Sequence, residues 1–292
     1  MKEIAIIGST ASGKTGLSLE IAQKTNSIIL SLDSLSVYKD IDIASAKPTK
    51  LERGNIIHFG IDEVFPNEEY DVMQFIQCYK KAKTFAQNNQ KNLIIVGGTG
   101  FYLKALIEGL STGVNSKIKL DSNVAEVYDF LYEKDEIYMS KIKRNDKYRV
   151  EKAYAIYKET NLTPSEYFLQ NPKTPIAKNL KLFEIIWEKE DLRKRINLRT
   201  SQMIKDGVID EVIFLEKKYT RKPNSMSSIG ILETLEFLDG KLNKTQLEEK
   251  IASNTAKLAK RQNTFNKGQF NNLQSSDILT KLNSEILKSF KI

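Results

Sequence analysis

Short apolar runs alternate with longer mixed segments in the N-terminal third of the chain. The runs lie at residues 4–7, 28–32, 56–61 and 93–96 and are rich in isoleucine, leucine and valine, which predicts buried strands. Apolar positions at helical spacing predict a helix from about Asp71 to Asn88. Strands that alternate with helices in this way predict an α/β fold with a parallel sheet.

The strand pattern disappears after about Gly109. Helical spacing takes over between residues 112 and 179, at 124–133, 149–159 and 164–169. An apolar run at residues 180–187 predicts that the sheet then resumes, with Trp187 packed among buried neighbours. From Asp191 onward the pattern is helical, with a turn at residues 222–225. We therefore predict a helical insertion domain at residues 112–179 and a helical C-terminal region.

A glycine-rich segment follows the first predicted strand and leads into a helical pattern. Its spacing is G-x-x-x-x-G-K-[ST], the arrangement of a phosphate-binding loop (P-loop). Glycines let the backbone turn its N–H groups inward, the helix N-terminus attracts anions, and Lys14 adds a positive charge. The hydroxyl of Thr15 is expected to bind a magnesium ion, Mg²⁺. The residues predicted to hold a chain of phosphates are Gly8, Ser9, Thr10, Ala11, Ser12, Gly13, Lys14 and Thr15.

This loop makes residues 1–111 the first part of a P-loop NTPase-like core, which residues 180–292 complete. Kinases, ATPases and other transferases share such a loop, so the motif does not name the reaction. An NTP-hydrolysing protein usually has an acid after a second strand, whereas residues 93–96 run into Gly97, Gly98, Thr99 and Gly100. The nearest acid is Asp33, which follows the strand at residues 28–32. Its carboxylate can bind metal, bind ribose or accept a proton, and spacing does not separate these roles.

Composition narrows the class of protein. The chain has 292 residues, with one cysteine and one histidine, which excludes an internal disulfide and a zinc cluster. Cys78 lies on an apolar helical stripe and is predicted to pack in the core, and His58 is predicted to have a structural role. No apolar stretch approaches the roughly 20 residues that span a membrane, and the N-terminus has no secretory signal pattern. We expect a cytoplasmic protein without membrane association.

Net charge is +8 at pH 7 with a pI near 9.2, which favours a polyanionic partner. Basic and aromatic residues occur together at residues 141–149 and again at residues 257–267. Each cluster can be a solvated helix face, and each also suits a nucleic-acid strand with unstacked bases.

Taken together and in order, the motifs resemble the tRNA dimethylallyltransferases, also called tRNA isopentenyltransferases. The resemblance covers most of the chain. Among its motifs, the P-loop is the one that is specific when it is taken by itself. The other landmarks are Asp33, Ser34, Val37, Tyr38, the segments 44–48 and 97–102, Arg149, Ala153, Arg195, Arg199, Met203, Gly207, Ile229, Gly230, Glu233, the segment 259–262 and Thr264.

The resemblance implies transfer of a dimethylallyl group from dimethylallyl diphosphate to N6 of adenine 37 in the tRNA anticodon loop, with release of pyrophosphate. An adenine amino group is a poor nucleophile, so we assign Asp33 as the base that accepts its proton. Lys14, Mg²⁺ on Thr15 and the loop amides would stabilise charge on the leaving group. By similarity, Thr99 binds the bridging oxygen and Arg199 holds the diphosphate.

The resemblance also implies contacts with the tRNA anticodon stem-loop, with the insertion clasping it. The base must leave its stack to reach Asp33, at a cost of a few kcal/mol. Residues 117–125 align poorly with the family. The residues expected to contact tRNA are Asp33, Ser34, Leu35, Ser36, Tyr148, Arg149, Val150, Glu151, Lys152, Ser228, Ile229, Gly230, Ile231, Leu232, Glu233, Lys260, Arg261, Gln262, Asn263, Thr264, Phe265, Asn266 and Lys267.

Two other functional classes stay open at this point. One is a P-loop kinase, or a related transferase that prenylates free adenine nucleotides. The other is a non-catalytic RNA-binding protein that uses the loop as a nucleotide switch. Neither kinase chemistry nor free-nucleotide prenylation needs the helical insertion or the basic cluster at Lys260. We expect a monomer, because a bound tRNA would occupy much of the surface.

Overall fold

The computed structural model describes residues 1–111, 114, 118–120 and 123–290. Part of the poorly aligned segment 117–125 lies outside the described residues. The chain divides into two compact units, one made of Met1–Lys104 with Asn179–Ile292 and the other of Ala105–Lys178. The sequence-based division starts the insertion at residue 112, whereas the second compact unit starts at Ala105.

One parallel sheet runs through the first unit, which confirms the predicted α/β class. Its strand order is β3-β2-β4-β1-β5-β6, so β4 lies between β1 and β2. The strands are β1 (Glu3–Gly8), β2 (Ser27–Ser31), β3 (His58–Phe59), β4 (Asn92–Gly97), β5 (Lys181–Ile185) and β6 (Leu273–Ser276).

Helices cover both faces of this sheet. Leu17 and Ile21 of the first helix pack with Ile286 of the last one against Ile4 and Ile6 of β1. The helices of the unit are α1 (Lys14–Lys24), α2 (Lys50–Arg53), α3 (Val72–Asn88), α9 (Lys189–Lys205), α10 (Val208–Tyr219), α11 (Ile231–Leu238), α12 (Lys244–Gln269) and α13 (Leu279–Phe290), with a 3₁₀ turn at Asn224–Ser227. Helix α4 (Gly100–Glu108) begins in the first unit and ends in the second.

Local capping explains why α3 begins where the sequence predicts. The Asp71 side chain accepts hydrogen bonds from the backbone N–H groups of Met73 and Gln74, and the Gln74 side chain accepts one from the Asp71 N–H. This reciprocal capping box satisfies orphan donors at the helix start. Cys78 on the same helix is buried, as predicted.

The strand β6 is a feature that the sequence pattern missed, because residues 270–278 were predicted helical. It contains one apolar residue, Leu273, and lies at the edge of the sheet. Pairing with β5 holds it in place, and the hydroxyl of Ser275 donates to the buried carboxylate of Glu184 at 3.2 Å. Two other predictions were too long: β3 has two residues, and β5 ends at Ile185 before Trp187.

The second unit is helical, as predicted for this part of the chain. Its own core contains Leu131, Met139, Val150 and Ala153. The helices are α5 (Val124–Lys134), α6 (Glu136–Met139), α7 (Lys147–Thr160) and α8 (Pro164–Gln170). Among the described residues of the whole chain, no helix combines the length and apolar character that a membrane crossing requires.

One buried carboxylate ties two helices of the second unit together. Asp135 is 6% exposed and accepts hydrogen bonds from the N–H of Tyr138 at 3.0 Å and the N–H of Ser165 at 2.7 Å. It also accepts the Ser165 hydroxyl at 2.7 Å. The same side chain therefore caps the N-termini of α6 and α8.

We expect Asp135→Ala to lower the free energy of unfolding by about 2 kcal/mol, because it removes a cap from two helices and leaves their N–H groups unpaired. Urea unfolding followed by circular dichroism measures this change. Asp129→Ala is the control, since Asp129 is half exposed and pairs only at the surface with Arg144. An Asp135→Ala variant as stable as this control would contradict the assigned role.

Candidate active site

Three features that the sequence predicted separately meet at one edge of the sheet. The P-loop follows β1, Asp33 follows β2, and the segment from Gly97 to Thr99 follows β4. Because these strands are parallel and adjacent, their carboxyl ends lie side by side. β4 therefore brings its glycine-rich turn between the P-loop and Asp33.

The P-loop turns tightly, and Gly8 shows why the backbone limits the side chains there. A Cβ atom at Gly8 would lie 2.7 Å from the carbonyl oxygen of Ile185 on the neighbouring strand. Gly13, in the left-handed region at φ 94°, precedes the first residue of α1. The ammonium of Lys14 folds over the loop and donates to the carbonyl oxygen of Ser9 at 2.6 Å.

Two partly buried cations, Lys14 and Arg199, lie close together in this loop region. Burial, and after it repulsion from Arg199, lower the pKa of Lys14 to about 7, while the carboxylate of Asp33 opposes both effects. Burial also lowers the pKa of Arg199, again against the attraction of Asp33. The Arg199 guanidinium donates to the hydroxyl of Thr10 at 3.1 Å. An anion bound between these cations would relieve their repulsion.

Asp33 is held by its own turn. Its Oδ1 atom accepts the N–H of Leu35 at 2.8 Å and the N–H of Ser36 at 3.2 Å. Among the described residues no donor bonds to its Oδ2 atom, and the side chain is partly exposed. One carboxylate oxygen therefore fixes the orientation while the other can accept a proton.

A cavity of about 90 Å³ joins these groups. Its lining includes Thr10, Lys14, Thr15, Asp33, Gly98, Arg199 and Gln262. A larger cleft of about 1090 Å³ is also lined by the P-loop and shares Lys14, Thr15 and Arg199 with the small cavity. Thr99 follows Gly98 directly, and its N–H donates to the carbonyl oxygen of Leu32 at 3.1 Å. The acid and the phosphate loop thus border the same space.

The helix α12 contributes to this site in a way that sequence reasoning missed. Gln262, predicted only as a tRNA contact, accepts the N–H of Thr10 at 2.8 Å and packs against Gly98. A Cβ atom at Gly100 would lie 2.5 Å from the ring of Phe265. The buried side chain of Asn266 donates to Glu184 at 2.9 Å. The glycines after β4 therefore make room for α12.

Lys47 belongs to the segment 44–48, which resembles the family but had no role assigned to it from the sequence. Its side chain is 5% exposed and pairs with Asp42 at 2.6 Å and with Asp62. Its ammonium also donates to the carbonyl oxygen of Tyr38 at 3.0 Å. Lys47 lines both cavities, so it fixes a wall that they share. A lysine directly before a proline gave no sequence signal for this network.

His58 has the structural bond that the sequence predicted. Its Nδ1 atom is 2.8 Å from the carbonyl oxygen of Ile56, and burial lowers the pKa of the ring.

The predicted tRNA contacts differ in exposure. In the second unit Tyr148 is 69% exposed and Arg149 and Lys152 are exposed, while Val150 is buried. In the first unit, the exposed members are Ser34, Leu232, Lys260, Arg261, Thr264 and Lys267. The buried members there are Ser36, Gly230, Ile231, Glu233 and Asn266. Glu233 accepts the N–H of Gly230 at 2.7 Å, which caps α11. The tRNA contacts themselves stay predictions.

The parallel sheet with a phosphate loop after its first strand defines the chain as a P-loop-type α/β protein. Comparison with known proteins is more specific: the family model described as IPP transferase matches residues 36–269. The chain is 73% identical over its full length to the full-length tRNA dimethylallyltransferase of Aliarcobacter butzleri. It is 50% identical to that of Sulfurimonas denitrificans, over 99% of both chains. The chain therefore belongs to the IPP transferase family.

Solved structures agree with this assignment. A tRNA isopentenylpyrophosphate transferase from Bacillus halodurans is 28% identical, with a TM-score of 0.73 over 99% of this chain and 96% of the other. A eukaryotic dimethylallyltransferase described as acting on tRNA is 27% identical, with a TM-score of 0.83 over 99% of this chain and 77% of the other.

We expect Gly97→Ala to lower the free energy of unfolding by about 1–3 kcal/mol, because the added methyl group would overlap the neighbouring backbone and force it to move. A Cβ atom there would lie 2.5 Å from the backbone carbonyl group of Leu32, the residue before Asp33. Urea unfolding measures the change. Gly268→Ala is the control, since a Cβ at Gly268 meets nothing within 4 Å and alanine favours the helix. Equal stability of the two variants would refute this explanation.

Pyrophosphate affinity should depend on pH through Lys14. In the free protein Lys14 loses its proton as pH rises through about 7, whereas a bound anion favours the ammonium. Binding above pH 7 then takes up a proton, and the affinity falls as pH rises, by up to about tenfold per pH unit. Calorimetry in metal-free buffers of different ionisation enthalpy measures the uptake.

Lys14→Arg is the control for this titration, because its guanidinium stays protonated while the titration of pyrophosphate itself is unchanged. The same proton uptake in both proteins would show that Lys14 does not titrate on binding.

Proposed function

We propose that this chain transfers the dimethylallyl group of dimethylallyl diphosphate to N6 of adenine 37 in the anticodon loop of tRNA. Membership of the IPP transferase family, and 73% identity to one tRNA dimethylallyltransferase, support this activity. The observation that carries the proposal is the shared cavity of Asp33, Lys14 and Arg199. It combines a base with a site for a diphosphate.

The diphosphate binds in the P-loop in this proposal. The backbone N–H groups of the loop and the N-terminus of α1 attract its oxygens, and Lys14 and Arg199 stabilise the negative charge that grows as pyrophosphate leaves. Lys14 must exchange its bond to the Ser9 carbonyl for the phosphate oxygens. Both cations are partly buried, which reduces the screening of their interaction with the leaving group by solvent.

A magnesium ion fits this site through Thr15. Thr15 is exposed and borders both cavities. Among the described residues, no group of three or more His, Cys, Asp or Glu side chains could hold a metal ion. One protein oxygen together with phosphate oxygens and water is a ligand set that Mg²⁺ accepts. Bound there, Mg²⁺ would neutralise charge on the diphosphate.

Asp33 accepts the proton of the nucleophile. N6 of adenine attacks C1 of the dimethylallyl group, the C1–O bond to the diphosphate breaks, and its electron pair leaves with pyrophosphate. The proton lost from N6 goes to the Oδ2 atom of Asp33, while Oδ1 stays bonded to Leu35 and Ser36. Thr99, at the start of α4, is proposed to donate to the bridging oxygen of the diphosphate.

The adenine must turn out of its stack, and contacts with the rest of the RNA offset the few kcal/mol that this costs. The exposed basic and aromatic residues of α7, including Tyr148 and Arg149, are suited to backbone and base contacts. The exposed Lys260, Arg261 and Lys267 of α12 supply further positive charge. We also propose that the protein is cytoplasmic and works as a monomer. Light scattering of the purified protein tests the monomeric state.

We expect Asp33→Asn to lower kcat by at least about 100-fold, because asparagine can keep the bonds to Leu35 and Ser36 but cannot accept the proton. The tRNA affinity should change little. Incubation with dimethylallyl diphosphate, Mg²⁺ and unmodified tRNA, followed by nucleoside mass analysis, measures product.

Asp191→Asn is the matched control, since Asp191 is an exposed carboxylate that pairs with Lys194 on the surface of α9. A free adenine nucleotide replaces tRNA in a parallel reaction. Normal turnover by Asp33→Asn would remove Asp33 from the mechanism, and prenylation of the free nucleotide alone would overturn tRNA as the substrate.

A further inference from the structure

The outward-facing carbonyl groups of the P-loop have dedicated donors. The Nε atom of Arg195 donates to the carbonyl oxygen of Ala11 at 2.7 Å. The indole Nε1 atom of Trp187 donates to the carbonyl oxygen of Ser12 at 2.9 Å. The Arg195 guanidinium lies 4.6 Å from the centre of the Trp187 ring, so the two donors also stack on each other.

The conformation of the loop explains why such donors matter. Ala11 has φ 62°, in the left-handed region that a residue with a Cβ rarely adopts. A loop that turns its N–H groups toward a ligand leaves carbonyl groups pointing away, and each of these needs a partner. Arg195 and Trp187 bond two consecutive carbonyls at this strained position. They therefore favour the conformation that binds anions over a relaxed one.

The helix α9 makes this support rigid. Its residues Leu192 and Ile196 are buried in a cluster that Ala11 and Trp187 pack against. Arg195 and Arg199 are four residues apart, so they lie on one face of the helix, and Arg199 bonds the hydroxyl of Thr10. One helix face thus contacts Thr10 and Ala11, while Trp187, just before the helix, contacts Ser12.

We propose that Arg195 and Trp187 are positioning residues that hold the P-loop in its diphosphate-binding conformation and fix the loop relative to Arg199. The inference rests on the proposed function, since it concerns the same diphosphate. Arg195 acts through the Ala11 carbonyl. Its effect depends on the direction of its Nε–H bond and on its stacking, in addition to its charge.

The experiment compares pyrophosphate binding and steady-state kinetics. Arg195→Met should weaken pyrophosphate binding about tenfold, the loss expected for a hydrogen bond from a charged donor. The KM for dimethylallyl diphosphate should rise by a similar factor, while the KM for tRNA stays within about twofold. Arg195→Lys keeps the charge without the planar fork and should not restore binding. Trp187→Phe keeps a ring for stacking without the donor and should weaken binding less than Arg195→Met.

Trp187 also supplies a spectroscopic signal. It is the single tryptophan of the chain, so intrinsic tryptophan emission reports on the residue bonded to the loop. Pyrophosphate should change this emission in the wild type and in Arg193→Met, the control variant with an exposed arginine on the same helix. In Arg195→Met the emission of the free protein should already differ from wild type. Calorimetry measures binding to Trp187→Phe, which lacks the signal.

The outcomes separate the two proposals. If the wild type fails to bind pyrophosphate and Lys14→Met behaves the same, the proposed function of the loop falls and this inference falls with it. If the wild type binds pyrophosphate and both Arg195→Met and Trp187→Phe bind it as tightly as the wild type does, the inference alone is refuted. Full rescue by Arg195→Lys would also refute it, because charge alone would then account for the effect of Arg195.

Discussion

The site depends on one constraint of the backbone: a loop that binds phosphates with its N–H groups needs partners for the groups that face the other way. In this protein one of those partners belongs to the loop itself and the others come from distant parts of the chain. Arg195 and Trp187 bond the carbonyls of Ala11 and Ser12, and Lys14 bonds that of Ser9. Gln262 accepts the N–H of Thr10 from another helix. The loop is thus part of the tertiary structure rather than an independent turn.

The charges in the same region favour the binding of an anion. Lys14 and Arg199 are partly buried in the same region, and burial and repulsion from Arg199 lower the pKa of Lys14. The single carboxylate of Asp33 offsets this only in part. In the proposed reaction a diphosphate would supply further negative charge, and the same groups would stabilise its departure as pyrophosphate. Asp33 is therefore at once a counter-charge for the cations and the proposed base.

The family assignment and the α/β fold were accessible from sequence because they depend on local patterns. Buried parallel strands appear as short apolar runs, and the P-loop has fixed spacing. Where the pattern failed, tertiary contacts determined the structure. Strand β6 forms from Leu273-Gln274-Ser275-Ser276 because β5 offers an unpaired edge and Glu184 a hydrogen-bond acceptor. Residues 180–187 look like one strand, but Trp187 leaves it to bond the P-loop.

The sequence by itself determined which residues are proposed to carry the chemistry, since Lys14, Thr15, Asp33 and the glycines after β4 are recognisable by type and spacing. Only the tertiary structure decided how they meet. The strand order puts β4 between β1 and β2, which brings the acid and the loop to one cavity. It also decided that Gln262 and Asn266, which the family resemblance predicts as tRNA contacts, bond Thr10 and Glu184 within the protein. The physical reason is that spacing along a chain fixes periodicity and local turns, whereas partners that are distant in the sequence are selected by packing.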